Sequence, residues 1–190
     1  MLPVVLDLAR CGVALVGDGP AAMRRLTLLD EAGAGEVRLF APAPNDALVA
    51  AAGSRLVRRL PEMAEIAAAR LVFISNRTQP YVARIAAAAR AAGALVHIED
   101  DPARSDLHLP AVLRRGDLSI AVSTGGASPA LAVGLRDALA DLVGPEWRER
   151  TAEIARLRQA WRADGADAEM LKRRTADWLG RQDWPTHSPS

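Results

Sequence analysis

The sequence predicts an α/β protein built on a Rossmann-like parallel sheet, and three observations lead there. Short apolar, β-branched runs alternate with Ala-, Leu- and Arg-rich stretches to about residue 122, as strands buried on both faces alternate with crossover helices. A glycine-rich turn separates the first long apolar run from the first helical stretch. Beyond Val122 the apolar spacing becomes that of helices alone.

Taken in order, residues 4–6 are a candidate edge strand. Strands follow at 13–16, 37–40, 71–74, 95–98 and 118–122, with a weaker one at Leu56 and Val57. The helix after the glycine turn runs to the stop Glu31-Ala32-Gly33. A second helix spans 80–92, with Val82, Ile85, Ala86 and Ala89 on one stripe and Gly93 at its end. Ser128 and Pro129 read as N-cap and first helical residue, since serine accepts from free amides and proline needs no donor there. Leu131, Leu135, Leu139 and Leu142 then trace an apolar stripe that serves either as internal core or as a dimer surface, and Gly144-Pro145 ends it. From Glu146 a helix carries Ile154, Leu157 and Trp161 on one face until Gly165. A last amphipathic helix at 168–179 holds Trp178, and the Pro- and Ser-bearing end from Asp183 to Ser190 is expected to fray.

Composition narrows the function. With 24 Lys+Arg against 23 Asp+Glu, the formal charge of +1 argues against a broad nucleic-acid footprint. A single cysteine, Cys11, excludes an internal disulfide framework and a thiolate metal cluster, and fits a reducing compartment. His97, His108 and His187 are too scattered to spell a metal motif. The N-terminus lacks a basic leader region, and Arg84 and Arg90 interrupt the one long Ala-rich stretch, so no segment offers the ~20 apolar residues a spanning helix needs. The expectation is a soluble cytoplasmic protein with no nucleic-acid or membrane partner.

The sharpest local motif is Gly17-Asp18-Gly19-Pro20-Ala21-Ala22, a G-x-G-x-x-A turn between strand and helix. The first glycine permits the tight turn, the second lets backbone approach a pyrophosphate, and Ala22 keeps the helix close to the sheet. Amides at that helix start suit the phosphate anion. The acid that usually ends the second strand to bind a ribose is missing: Phe40 leads into Ala41-Pro42-Ala43. No arginine stands there for a 2′-phosphate either, so the turn itself leaves NAD and NADP open.

Read with residues downstream, the chain resembles the precorrin-2 dehydrogenase/sirohydrochlorin ferrochelatase family, the N-terminal module of siroheme synthase. The resemblance rests on Leu2-Pro3 ahead of the first strands, the basic pair Arg24-Arg25, Ala41-Pro42 after the second strand, and above all the run from Gly116 to Ala132 with Ser123-Thr124-Gly125-Gly126-Ala127-Ser128-Pro129 at its heart. It covers residues 2 to about 145, and the helical tail more loosely. It implies oxidation of precorrin-2 to sirohydrochlorin with NAD as hydride acceptor, and some members also insert ferrous iron to give siroheme. It further implies a homodimer with an NAD-binding Rossmann-like domain at 1–112, a dimerisation region at 113–145 and a small helical domain at 146–190.

The resemblance places the family's catalytic aspartate on Asp100, within the framework Asp100-x-Pro102 and Leu109-Pro110. Such a carboxylate, just beyond a strand end, takes the proton that dehydrogenation or metal insertion releases. Gly17, Asp18, Gly19, Pro20, Ala21, Ala41, Pro42, Ala43, Ser75 and Asn76 are expected to line the cofactor. Ser123, Thr124, Gly125, Gly126 and Ser128 open a helix with hydroxyls and bare amides, which suits the carboxylates of a tetrapyrrole. Arg104, Arg114, Arg115 and Arg136 lie near in sequence and can add bidentate contacts, though singly each reads as a surface residue.

The chain also departs from the family. A strand that usually ends Ala-Thr-Asp reads Ile74-Ser75-Asn76-Arg77 here, the asparagine three positions before the aspartate is His97, and Glu99 adds a second acid. His97 reads first as a satisfied buried histidine, and second, with its neighbouring acids, as an aid to a ferrous ion. No metal ligand set is fixed. The other readings are a nonenzymatic NAD(H)-sensing or tetrapyrrole-carrier module, and a chelatase without dehydrogenase activity. With no methyltransferase-sized extension, the chain is expected to receive precorrin-2 from a separate enzyme.

Overall fold

The computed structural model describes residues 2–182; the expected frayed end from Asp183 lies outside the described residues. The chain divides into two compact units, Met1–His108 and Leu109–Ser190.

The first unit is an open five-stranded parallel sheet. Its strands are β1 (Gly12–Val16), β2 (Glu36–Phe40), β3 (Leu56–Val57), β4 (Leu71–Ile74) and β5 (Leu95–Ile98), in the order β3-β2-β1-β4-β5. Its helices are α1 (Gly19–Glu31), α2 (Asp46–Ala52), α3 (Met63–Ala68) and α4 (Val82–Ala91). The apolar runs form the strands because every residue of β4 is buried and must be apolar on both faces. Ala14, Val16, Val72, Ile74, Val96 and Ile98 pack on Ile66 of α3 and on Val82, Ile85, Ala86 and Ala89 of α4. The alternate set, led by Leu15 and Leu39, is buried together with Leu26 and Leu29 of α1 and Leu48 of α2. Strands are added to one side of β1 up to β3 and to its other side from β4, so the crevice beyond the C-terminal ends of β1 and β4 is where an open sheet takes a ligand.

The candidate edge strand at residues 4–6 does not form. Asp7 instead caps a single 3-10 turn at Leu8–Arg10, its Oδ1 accepting from the Ala9 amide at 3.2 Å.

The second unit corrects another expectation. Leu118–Val122 does not extend the parallel sheet; as β7 it pairs antiparallel with β6 (Ala111–Arg115). Only Gly116 and Asp117 separate the two, far short of a crossover, and Gly116 takes the left-handed φ of 62° that such a tight hairpin needs at its first central position. Helices α5 (Pro129–Leu142), α6 (Trp147–Ala163) and α7 (Ala168–Leu179) follow. Leu113, Val143 and Trp147 form a small core with Leu118, Ile120 and Leu139. The α5 stripe therefore splits: Leu139 turns inward, while Leu131, Leu135 and Leu142 are 54%, 47% and 50% exposed. Among the described residues no helix is long and apolar enough to cross a membrane.

Candidate active site

The glycine turn sits where β1 meets α1. The Gly17 amide donates to the Phe40 carbonyl at 2.9 Å, pinning the turn to β2. Gly17 has φ of 133°, and a Cβ there would overlap the hydroxyl oxygen of Ser75. Ser75 is buried, with its amide and hydroxyl both donating to the Val16 carbonyl, at 2.9 and 3.3 Å. Gly17 is thus glycine for backbone conformation and for the close approach of β4. Gly19, with φ of 78°, faces open space: a Cβ there would meet nothing within 4 Å.

The start of α1 is built for an anion. Asp18 holds the N-cap position but makes no side-chain cap bond; its Oδ1 accepts from the Ala43 amide at 3.0 Å instead. By contrast, Asn45, Ser128 and Asp167 cap α2, α5 and α7 through their side chains. The first α1 amides, with Pro20 contributing none, are left without a side-chain acceptor, which fits a dinucleotide pyrophosphate. The Asp18–Ala43 bond also draws the loop after β2 against the turn. In that loop Ala41 is buried, its amide bonded to the Val57 carbonyl at 3.0 Å, while Pro42 and Ala43 are exposed. Asn76 spends its Oδ1 on its own loop, accepting from the Thr78 amide at 3.3 Å and hydroxyl at 2.9 Å.

Asp100 lies in the turn after β5. The Asp101 amide donates to the Ile98 carbonyl at 3.1 Å, closing a β-turn with Glu99 and Asp100 at its centre. Asp100 takes φ of 54°, and it is the only non-glycine residue of positive φ among the described residues. Glycine is the ordinary occupant of that turn position. Ser105 donates its hydroxyl to the Asp101 carbonyl at 2.7 Å, lies 3.2 Å from the Ile98 carbonyl and accepts from the Ile98 amide at 2.9 Å. Arg104 pairs with Asp101, whose carboxyl that hydrogen bond holds below its ordinary value. The Asp100 side chain itself is exposed.

Beneath this turn, Arg25 of α1 reaches across the sheet. Its guanidinium pairs with Glu99 at 2.6 Å and lies 5.5 Å from the centre of the Phe73 ring; Arg24 adds a second charge 3.5 Å from Glu99. Burial pushes the Glu99 carboxyl up, but the Arg25 hydrogen bond and charge outweigh it and hold the group below its ordinary value. His97 Nδ1 lies 3.2 Å from the Leu107 carbonyl, which only accepts, so that nitrogen carries the proton and Nε2 presents its lone pair toward Arg25. Burial pushes the His97 imidazole below its ordinary value, over the upward pull of that carbonyl. His97 and Glu99 are thus occupied within the fold rather than presented to an ion.

In the second unit, the loop at residues 123–128 is largely self-satisfied. Thr124 Oγ1 donates to the Ser128 carbonyl and accepts from its amide, Ser123 Oγ accepts from the Gly125 amide, and Ser128 Oγ caps α5 at Leu131. Gly125 and Gly126 are exposed, with φ of 66° and 89°. Arg115 holds the Val143 and Ala140 carbonyls, Arg114 the Ser119 hydroxyl, and Arg136 the Asp137 carboxylate.

The first unit therefore brings the glycine turn, the Ala41-Pro42-Ala43 loop, Ser75, Asn76 and Asp100 to one edge of its sheet; residues 123–128 belong to the second unit. Sequence reasoning missed Tyr81, half-buried at the start of α4, whose phenol is pushed up by burial and by the Asp18 charge. As the chain's one tyrosine it was visible. It also missed the hold of Arg77 on Asp100, whose Nη1 donates to the Asp100 carbonyl at 2.7 Å.

A β1-turn-α1 unit with uncapped helix amides, at the switch point of a parallel sheet, defines a Rossmann dinucleotide-binding protein. Residues 4–111 match the family model described as "Putative NAD(P)-binding", and residues 115–142 match "Sirohaem biosynthesis protein central". The chain belongs to the precorrin-2 dehydrogenase/sirohydrochlorin ferrochelatase family, the N-terminal module of siroheme synthase. It is 32% identical to the siroheme synthase of Methylococcus capsulatus over 97% of this chain and 45% of that protein. It is 32% identical to that of Tolumonas auensis, over 84% and 37%. The chain thus spans less than half the length of these relatives. The solved structure "SirC, precorrin-2 dehydrogenase" shares the fold, with a TM-score of 0.73 at 21% identity, over 91% of this chain and 86% of that one.

Proposed function

We propose that the chain oxidises precorrin-2 to sirohydrochlorin, with NAD as acceptor and Asp100 as base. The observation that carries this reading is Asp100 itself. A single aspartate enters the left-handed region more readily than most non-glycine residues, though at a cost relative to glycine, and such residues concentrate at functional sites. A carboxylate needs no such backbone to be solvated or to cap a turn.

When bound, NAD supplies the acceptance of a hydride. The α1 amides would hold its pyrophosphate, Gly19 would leave room for its approach, and the Asp18–Ala43 bond would border its adenosine end, where Ala41, Pro42 and Ala43 offer no arginine to a 2′-phosphate. The reaction balances as one hydride to the acceptor and one proton to the Asp100 carboxylate. Residues 123–128 offer substrate carboxylates exposed glycine backbone and the O–H groups of Ser123 and Ser128, which only accept within the loop, while the Thr124 hydroxyl is spent on the Ser128 carbonyl. The exposed leucines of α5 are the surface through which two copies pair.

The proposal stops at sirohydrochlorin. An iron site at this edge would draw on His97 and Glu99, which Leu107 and Arg25 already hold. The test is anaerobic incubation with precorrin-2 and NAD, following NADH. No NADH from folded protein that binds both ligands would favour the carrier reading. Sedimentation of Leu131→Ser/Leu135→Ser checks the pairing surface, and the proposal expects a shift toward monomer.

A further inference from the structure

Three of the four carbonyls in the turn that presents Asp100 belong to Ile98, Asp100 and Asp101, and the chain secures them differently. Those of Ile98 and Asp101 are held locally, by the Asp101 amide and the Ser105 hydroxyl. Among the described residues the carbonyl of Asp100 has no such local donor. Its donor comes from another strand: Arg77, three residues past the end of β4, gives Nη1 to it at 2.7 Å. The Arg77 backbone is fixed in turn. Asn76 gathers the Thr78 amide and hydroxyl on its Oδ1, and Arg104, already paired with Asp101, lies 3.4 Å from the Arg77 carbonyl through its Nη2.

We infer that Arg77 is a positioning residue for Asp100, fixing the left-handed turn so that the carboxylate stands ready for proton transfer. The inference rests on the reading of Asp100 as base. The turn is strained where Asp100 sits, and a strained conformation holds only when its surroundings over-determine it. Arg77 is the contact that joins the strained residue's own backbone to β4, the strand flanking the switch point. A planar guanidinium with several N–H groups can hold a carbonyl while leaving its charge beside the crevice. The replacement of an expected acidic segment by Ile74-Ser75-Asn76-Arg77 is then a change in how this chain braces its base.

The experiment compares wild type, Arg77→Ala, Arg77→Lys and Asp100→Asn in NADH formation from precorrin-2, together with amide hydrogen exchange. Arg77→Ala is expected to lower kcat at least tenfold, with KM for NAD and precorrin-2 within twofold. Arg77→Lys is expected to recover most of the loss, since an ammonium still donates to the carbonyl. On the residual activity of Asp100→Asn, adding Arg77→Ala should cost less than twofold. Independently of turnover, the Asp101 amide should exchange at least tenfold faster in Arg77→Ala, while the Ser75 amide is unchanged. An unchanged kcat and Asp101 exchange rate would overturn the inference. So would a tenfold rise in KM for precorrin-2 at constant kcat, which would make Arg77 a substrate contact. Full activity in Asp100→Asn would instead sink the base assignment, a result that the exchange measurement tells apart.

Discussion

Two turns at the C-terminal edge of one sheet enter the same rare backbone region with different residues. After β1 the chain uses Gly17 and Gly19, at φ of 133° and 78°; after β5 it uses Asp100, at 54°. At the first turn the backbone is the working part, since uncapped amides and an open approach suit a pyrophosphate, and a side chain would only obstruct. At the second it is a carboxylate that enters the region, its carbonyl held by Arg77. On the proposed reading the difference is between a turn that binds and a turn that reacts.

The largest effect expected from breaking this contrast is at Gly17. Gly17→Ala sets a methyl onto the Ser75 hydroxyl at a φ that L-residues avoid, so it should cost about 1–3 kcal/mol and weaken dinucleotide binding. Thermal melting and NAD titration check both, and Ser75→Ala in the same chain should recover part of the stability by removing the overlapped atom. At the reacting turn the prediction inverts. Asp100→Gly should be more stable than Asp100→Ala by about 1 kcal/mol, because glycine relieves the left-handed strain that alanine retains, yet both should lose turnover. Equal melting temperatures would show that the turn is not strained.

A smaller effect lies beneath the second turn. In the folded chain His97 and Glu99 both sit below their ordinary values of 6.5 and 4.5, so the unfolded chain takes up protons first. Their stabilisation is complete above those values and is lost as pH falls through the lowered ones. Melting temperature should decline in two acid steps, the upper beginning near 6.5 and the lower near 4.5. His97→Asn should flatten the upper step and Glu99→Gln the lower, and a profile indifferent to both would refute the pairing with Arg25.

Much of the sheet was readable because a buried parallel strand must be apolar throughout, as Leu71–Ile74 is. The glycine turn was readable for a related reason, its conformation restricting the residue type. Helix α2 and helix α3 are too short for periodicity to declare them. Strand β6 hid behind Arg114 and Arg115, charged positions on a half-exposed hairpin. The α5 stripe looked uniform, yet Leu139 alone turns to the small core. Asp100 was reached through resemblance; its φ leaves no trace in the sequence, because a turn that prefers glycine gives no warning when it holds something else. Arg77 was unreadable for a different reason, since its partner is a backbone carbonyl 23 positions away.

In the proposed function the β5 turn holds the base and the β1 turn holds the dinucleotide. The most direct measurement follows NADH formation from precorrin-2 and NAD under anaerobic conditions, for wild type and Asp100→Asn, with NAD affinity measured on both. The expected result is turnover in the wild type, a fall of at least about 100-fold in the variant, and the same NAD affinity in each. Comparable turnover in the two proteins, or a variant that fails because it no longer binds NAD, would contradict it.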